Sequence, residues 1–228
     1  MTAGDVVVSD PEQDSGPLYE SGWSLHRSDG ETSDAILQEM VKLGDCLGTR
    51  VAGRSGQLRE VVQPIVAEDA HPRSLSAQYG LGALPFHIEL SHRPRPCRYL
   101  LLGCIDPGET PAATTLLDWR KLGFEREELA LLEEAPVLVR TGRRSFYSTI
   151  LAPGGTFLRY DPGCLEPLGE RGREAMQLVA DRITRAHSYA LHWRQGDILI
   201  IDNWRVLHGR SRSAHGSGRS LARILIDA

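Results

Sequence analysis

The sequence predicts a mainly β fold, a sandwich or barrel of short strands with helices packed on its outside. Two observations predict this class. From residue 98 onward, short apolar or alternating stretches follow one another, which is typical of strands. The gaps between them carry turn-forming sequences such as TGRRS, APGG, DPG and RQGD. The candidate strands are Tyr99–Ile105, Val137–Arg140, Phe146–Leu151, Thr156–Tyr160, Tyr189–Trp193, Asp197–Ile201 and Arg219–Ile226.

The first thirty residues are rich in Asp, Ser, Gly, Pro and Glu. This composition predicts a loosely ordered arm over residues 1–30, with one short strand at Val6–Val8. A helix follows, with Ser33 as its N-cap, because apolar residues then recur at helical spacing from Ile36 to Leu47. Gly48 lies where such a helix is expected to end. We therefore expect one folded domain over residues 31–228.

Two further helices are predicted inside this domain. One covers Glu125–Glu134, and the other lies in Gly172–His187, with Met176 and Val179 on its apolar face. Between the first and second helices, Tyr99–Ile105 is a nearly continuous apolar run. Such a run predicts a strand that is covered on both faces.

The composition excludes several classes of protein. The chain has 228 residues, of which 41% are hydrophobic and 25% charged, close to ordinary globular usage. Acidic residues outnumber Lys and Arg by 30 to 26, which argues against nucleic-acid or membrane partners. The N-terminal residues do not resemble a signal peptide, so we expect a cytoplasmic protein with reduced thiols. None of the four cysteines forms a C-x-x-C pair, so a zinc ribbon has no support.

A metal site is predicted by the segment LPFHIELSH. If this segment is extended, His87 and Glu89 project to the same face. His208, which follows an apolar strand in GDILIIDNWRVLHGRS, is the best candidate for a third ligand. Two histidines and one carboxylate form the arrangement that non-haem Fe(II) oxygenases use. Taken singly, an H-x-E segment is common, and His208 alone has the alternative of satisfying a local backbone group.

Two arginines near the C-terminus strengthen this interpretation. Arg219 and Arg223 are four residues apart on the last predicted strand, so they share a face and are expected beside His208. Arginine pairs with carboxylates in a bidentate way and keeps its charge near neutral pH. A dicarboxylate that chelates the metal at one end needs such an anchor at its other end.

Four blocks of sequence resemble the taurine dioxygenase and clavaminate synthase-like family of Fe(II)/2-oxoglutarate-dependent dioxygenases. They are FHIELSH, ATTLLDWRKL, LRYDPGC, and GDILIIDNWRVLHGRS followed by RSLARI. The resemblance covers roughly residues 72–228 and implies a double-stranded β-helix core, also called a jelly roll or cupin-like fold, with flanking helices. It implies that His87, Glu89 and His208 are the ligands of Fe(II).

The resemblance also implies a site for 2-oxoglutarate. Arg219 matches the arginine that pairs with its far carboxylate, and Thr114 matches a threonine that contacts the same group, with Thr115 as an alternative one residue on. Arg223 matches a second arginine, near the iron-side carboxylate, which in several members helps to hold an acidic group of the substrate. Glu89 stands where Asp is commoner, and this favours an amino acid substrate or a derivative of one.

The expected activity is oxidation of a C–H bond of a small molecule, most simply hydroxylation. Fe(II) is the cofactor, 2-oxoglutarate and O₂ are co-substrates, and succinate and CO₂ are released. The substrate is expected to be an amino acid, free or bound to a carrier protein, or a natural-product intermediate. The alternatives are a non-catalytic jelly-roll binding protein and a metal hydrolase with the same ligands.

Two further residues are candidates for substrate binding. Arg159, in LRYDPG, is expected either to face the cavity or to pair with Asp161. His92 would face away from His87 on a regular strand, but a bend in the chain would direct it to the substrate. Asn203 is expected to organise the turn before His208, and Trp193 to pack in the core or a lid.

Overall fold

The computed structural model describes residues 18–30, 32–72, 74–109, 112–141 and 144–228. The strands are β1 (Trp23–Arg27), β2 (Thr49–Val51), β3 (Glu60–Val62), β4 (Leu84–His87), β5 (Tyr99–Asp106), β6 (Thr114–Asp118), β7 (Pro136–Val139), β8 (Phe146–Thr149), β9 (Leu165–Pro167), β10 (Tyr189–Leu191), β11 (Asp197–Asp202), β12 (Val206–Arg210) and β13 (Ser220–Asp227). The helices are α1 (Leu18–Ser21), α2 (Ser33–Leu47), α3 (Leu75–Tyr79), α4 (Arg126–Glu134) and α5 (Gly169–Arg185). Among the described residues, no helix combines the length and the apolar character needed to cross a membrane.

Two antiparallel sheets form the core of the molecule. The larger has the order β1-β11-β5-β13-β2, with β3 also paired to β13, and the smaller has the order β10-β6-β12-β4. Alternate residues of the larger sheet, among them Leu100, Leu102 and Leu199, pack against Leu116 and Leu191 of the smaller sheet. This double sheet confirms the predicted jelly roll with flanking helices.

Helix α2 covers the outer face of the larger sheet. Its Ile36 and Met40 are fully buried and pack on outward residues of the sheet such as Leu101. The helix approaches β5 closely at Gly103, where an added Cβ would overlap the Met40 sulfur. As predicted, β5 is therefore covered on both faces.

A third sheet and two helices cover the outside of the smaller sheet. This sheet has the order β8-β7-β9, and it packs with α4 and α5 around a cluster that includes Leu117, Leu132 and Val179. The predicted helix over 125–134 is confirmed, with Glu125 as its N-cap. The helix predicted in 172–187 is also confirmed, but it begins three residues earlier, at Gly169.

The structure corrects three sequence predictions. Residues 23–27 are not part of a loose arm, because they form β1 and pair with β11. The stretch Thr156–Tyr160 is not a strand, and only an isolated bridge between Leu151 and Leu158 forms there. The N-cap of α2 is Thr32 rather than Ser33, since the Thr32 hydroxyl accepts from the Ala35 N–H at 3.2 Å. The strand predicted at Val6–Val8 lies outside the described residues.

Candidate metal centre and its two cavities

Three side chains predicted as metal ligands converge between the two sheets. His87 ends β4 and lies directly opposite His208 of the neighbouring strand β12, with 4.4 Å between the ring centroids. Glu89 follows two residues after His87. One ligand atom from each residue lies within 4.8 Å of the other two. Within the described ranges, this is the only group of three His, Cys, Asp or Glu residues with such spacing.

The backbone at Glu89 is held in place by Asn203. Its side-chain oxygen accepts from the Glu89 N–H at 2.7 Å, and its amide nitrogen donates to the Glu89 carbonyl at 3.0 Å. The same nitrogen donates to the carbonyl of Cys97 at 2.9 Å. The next residue, Leu90, has a φ of 55°, an uncommon left-handed conformation that turns the chain away from the strand direction. Asn203 thus organises the segment that carries the carboxylate, and these side-chain bonds reach residues 89 and 97 rather than its own turn as expected.

The protonation states suit a divalent cation. Nδ1 of His87 lies 2.9 Å from the Pro85 carbonyl, which can only accept, so this nitrogen carries the hydrogen and Nε2 keeps its lone pair. Burial lowers the pKa of His208 to about 3 and keeps its ring neutral. Burial opposes ionisation of Glu89, but the positive charge of Arg223 outweighs it and lowers the pKa of Glu89 to about 2.

The His208 Nδ1 is buried without a hydrogen-bond partner among the described residues. Two imidazoles and one ionised carboxylate are a donor set typical of Fe(II), and they fit such an ion here.

An inner cavity of about 160 Å³ lies on one side of these three residues. Thr114, Arg210 and Arg219 line it, together with the leucines at positions 100, 102 and 221. Both guanidinium groups are only 6% exposed, and each has an Nε without a hydrogen-bond partner. Burial and the nearby charge of Arg210 lower the pKa of Arg219 to about 10, so Arg219 remains a cation at neutral pH.

Neither arginine has a carboxylate partner in the described part of the chain. Arg219 donates to the Ala112 carbonyl at 2.9 Å, and Arg210 donates to the carbonyls of Gly80 and Gly82 at 2.6 and 2.7 Å. Two buried and uncompensated cations are costly, so a cavity that holds them is complementary to an anion.

Thr114 rather than Thr115 faces this cavity. The indole nitrogen of Trp193 donates to the Thr114 hydroxyl at 2.9 Å. That bond uses the oxygen as an acceptor and leaves the hydroxyl hydrogen available for a ligand. Trp193 is buried, as predicted for a core residue, and it also orients a cavity residue.

A second cavity of about 370 Å³, here called the outer cavity, shares His87 and Glu89 with the inner one. His92 and Asp161 line it, and Arg223 lies at the junction of the two cavities. His92 does not face away from the site, because β4 ends at His87 and the chain turns after Glu89. Its role in substrate binding stays a prediction.

Arg223 is not a free guanidinium. It donates to Glu89 at 2.8 Å through NH1 and to Glu60 at 3.0 and 2.5 Å through Nε and NH2. The sequence predicts that Arg223 contacts an acidic group of a ligand. In the structure, two carboxylates of the chain itself already contact it.

The expectation that Arg159 faces the cavity or pairs with Asp161 is wrong. Its guanidinium is 2% exposed and donates to the backbone carbonyls of Ser91, Arg93 and Pro94. The guanidinium is therefore used to hold the backbone of residues 91–94 in place.

Two residues of the site were missed by sequence reasoning. Glu60 lies in a three-residue strand without a distinctive pattern, and only its pairing across β13 brings it to Arg223. Arg210 lies in an arginine-rich stretch near the C-terminus and was not among the predicted site residues. Its position two residues after His208 on the same strand, which places both side chains on one face, was the available signal.

Comparison with known proteins agrees with this geometry. The profile of the family described as "Taurine catabolism dioxygenase TauD, TfdA family" matches residues 123–225. Tyrosine isonitrile desaturase of Pseudomonas aeruginosa is 27% identical over 176 residues, covering 64% of this chain and 60% of that protein. L-lysine 3-hydroxylase of Catenulispora acidiphila is 28% identical over 221 residues, covering 82% of this chain and 57% of that protein.

The solved structures that resemble the chain share its fold. One is asparagine oxygenase in complex with Fe(II), 2S,3S-3-hydroxyasparagine and succinate, with a TM-score of 0.71, 18% identity, and coverage of 91% of this chain and 75% of that one. The non-heme iron oxygenase OrfP, bound to Fe and alpha-ketoglutaric acid, has a TM-score of 0.73 and 18% identity, and the match covers 92% of this chain and 76% of that one. The chain spans about 60% of the length of the curated relatives it matches. The profile thus matches a little less than half of the chain, and the solved structures show that the chain shares their fold.

Proposed function

We propose that this protein is an Fe(II)- and 2-oxoglutarate-dependent dioxygenase that oxidises a C–H bond of an amino acid or an amino acid derivative. In the hydroxylation that we expect, the substrate R–H, 2-oxoglutarate and O₂ give R–OH, succinate and CO₂. One oxygen atom enters the product and the other enters succinate. The lysine 3-hydroxylase among its relatives supports an amino acid as the class of substrate.

The observation that carries the proposal is the pair of buried arginines beside the three candidate ligands. His87, Glu89 and His208 leave three positions of an octahedral metal open, and Fe(II) would supply the activation of O₂ at them. Arg219 and Arg210 offer two positive charges at the far end of the adjacent cavity. A small dicarboxylate that reaches from the metal to these arginines matches both ends of the cavity.

Each residue of the inner cavity has a distinct task in this proposal. Arg219 pairs with the far carboxylate of 2-oxoglutarate, and the Thr114 hydroxyl donates to the same group. Arg210 adds a second positive charge and supports the turn at Gly80–Gly82 from which β4 starts. The cavity walls of Leu100 and Leu221 exclude water from the middle of the ligand, which strengthens the charge pairing.

The substrate is placed in the outer cavity. This cavity also reaches His87 and Glu89, whereas Arg219 lines only the inner cavity, so the two cavities offer separate space for a substrate and for 2-oxoglutarate. His92 and Asp161 are the polar groups that would contact the substrate there. The volume of about 370 Å³ suits a molecule of amino acid size.

An anaerobic titration tests this proposal. The protein loaded with Fe(II) is titrated with 2-oxoglutarate, and a weak visible charge-transfer band is expected as the ligand chelates the metal. His208→Ala should lose the band, while Arg171→Met, which changes an exposed ion pair, should retain it. A binding protein without metal or a zinc hydrolase would give no band in the unmodified chain.

A further inference from the structure

The internal ion pairs of Arg223 bear on which substrates the outer cavity accepts. The guanidinium lies at the junction of the two cavities, on the substrate side of Glu89. Its Nε and NH2 both donate to one oxygen of Glu60, and its NH1 donates to Glu89. Glu60 therefore occupies the Nε/NH2 edge with which an arginine binds a carboxylate, and Glu89 occupies one N–H of NH1.

Strand pairing and hydrogen bonds hold Glu60 in a fixed position beside Arg223. It lies on β3 directly opposite Arg223 of β13, and its side chain is 11% exposed. Its second oxygen accepts from the hydroxyl and the backbone N–H of Ser55. Gly53 packs against the same carboxylate, where an added Cβ would collide with it. The loop before β3 is thus folded around the Glu60 carboxylate.

The local charges oppose a third carboxylate. One guanidinium already faces the two carboxylates of Glu60 and Glu89, and the rest of the outer cavity carries one charge of each sign, Arg54 and Asp161. When a metal ion holds Glu89, Arg223 and Glu60 remain as a neutral pair. A carboxylate beside this pair would meet the Glu60 charge at close range, and the repulsion between like charges opposes its binding.

We infer that the substrate carries no free carboxylate at the end that faces Arg223, and that its carboxyl group is masked as an amide, ester or thioester. This inference rests on the proposed function and names the substrate class of the same site. A masked carboxyl group is neutral, and its carbonyl accepts the remaining N–H groups of Arg223 without bringing a charge. A peptide-like amide and a carrier-bound thioester share this chemistry.

Matched substrate series test the inference. Succinate release is measured with each proteinogenic L-amino acid as the free acid, the primary amide and the N-acetylcysteamine thioester. We expect at least tenfold more succinate release with a masked form than with its free acid. The series that gives more release, amide or thioester, identifies how the carboxyl group of the substrate is masked. Free acids that match or exceed their masked forms overturn the inference. A chain that shows no charge-transfer band with 2-oxoglutarate instead overturns the proposed function.

Glu60→Gln gives the matched variant for this comparison. Without the Glu60 charge, Arg223 can pair with a substrate carboxylate, so the preference for the masked form should fall at least tenfold. Glu134→Gln, in an exposed ion pair with Arg171, should leave the preference unchanged. An unaltered preference in a folded Glu60→Gln protein contradicts the inference.

A second measurement does not depend on the identity of the substrate. It tests the inference even if none of the free acids or masked forms is a substrate. In Glu60→Ala, the missing carboxylate leaves a gap next to Arg223, which acetate should fill. Calorimetry should detect acetate binding to Glu60→Ala, but not to the unmodified protein or to Glu60→Ala/Arg223→Gln. Acetamide, which is neutral, should not bind Glu60→Ala. Equal binding of acetate by the unmodified protein, or none by Glu60→Ala, overturns the inference.

Discussion

The side-chain amide of Asn203 is fully buried and reaches the backbone of Glu89 on both sides, at 2.7 Å to its N–H and 3.0 Å to its carbonyl. These bonds fix a segment whose following residue, Leu90, is in a left-handed conformation. The carboxylate of Glu89 thus starts from a defined backbone position. At this scale, the site depends on residues that hold the ligands as much as on the ligands themselves.

Replacing Asn203 should therefore weaken the metal site. Asn203→Leu keeps the size of the side chain but loses its three backbone bonds, and we expect Fe(II) affinity to fall about 10- to 100-fold. Metal affinity is measured by anaerobic titration, and the melting temperature is recorded in parallel. Gln177→Leu, which removes an exposed hydrogen bond from the Gln177 amide to Asp181, is the control. Unchanged Fe(II) affinity in folded Asn203→Leu would show that the hydrogen bonds from Asn203 do not contribute to metal binding.

Arg219 should govern 2-oxoglutarate affinity with little effect on the metal. Losing one partner of a desolvated charged pair costs about 2–5 kcal/mol, so Arg219→Met should raise the 2-oxoglutarate concentration needed for half-saturation at least tenfold. Fe(II) affinity should stay nearly constant, because Arg219 is not a ligand. If Arg210→Met shows the large effect and Arg219→Met does not, the assignment of the far-carboxylate anchor passes to Arg210.

At the scale of elements, the antiparallel pairing of β4 with β12 sets His87 opposite His208, and β13 brings Arg223 beside them. The larger sheet stays in place because α2 packs on its outer face through Ile36 and Met40. The outer layers α4 and α5 are joined by Arg182, which donates to both oxygens of Glu128 at 2.7 Å. These contacts lie away from the candidate ligands, so they affect stability separately from metal binding.

Truncation of Met40 should destabilise the fold without changing the site. Met40 is 0% exposed and fills the space over Gly103, so Met40→Ala removes packing and leaves a cavity. The expected loss in free energy of unfolding is about 2–5 kcal/mol. Denaturant unfolding measures it, with Leu58→Ala, at a 46% exposed side chain, as a control that should cost about 0.5 kcal/mol or less. A loss below that of the control would contradict the packing described here.

The Glu128–Arg182 pair predicts a dependence of stability on pH. The hydrogen bonds from Arg182 lower the pKa of Glu128 below its usual 4.5. A carboxyl group whose pKa is lowered on folding stabilises the protein above its unfolded pKa, and that contribution is lost as the pH falls through the lower folded value. The difference in stability between the unmodified protein and Glu128→Gln should therefore be constant near neutrality and shrink below about pH 4.5. A difference that grows on acidification would contradict this sign.

At the scale of the whole molecule, the site joins distant parts of the chain. The sequence could predict the three candidate ligands, His87, Glu89 and His208, because each stands in a motif beside an apolar strand. The pairing of β4 with β12 then brings them together. Glu60 was not predictable, since it acts through a pairing with Arg223 that is 163 residues away. Arg159 was misread because its sequence context gives no sign of the three carbonyls that surround it. Local patterns thus predict the ligands, whereas charge partners depend on the complete fold.

The N-terminal boundary shows the same limit. The composition of residues 1–30 predicts an arm, yet Trp23–Arg27 forms an edge strand of the larger sheet. The pairing partner that orders it, β11, lies more than 170 residues further along the chain. No local pattern contains this information.

A crystal structure of the protein grown anaerobically with Fe(II) and 2-oxoglutarate tests the central claim most directly. The account predicts iron bound by His87, Glu89 and His208, and 2-oxoglutarate in the inner cavity with its far carboxylate on Arg219, Arg210 and Thr114. Glu60 should still pair with Arg223 in that structure. Iron held by other residues, or 2-oxoglutarate bound in the outer cavity against Arg223, would contradict the account.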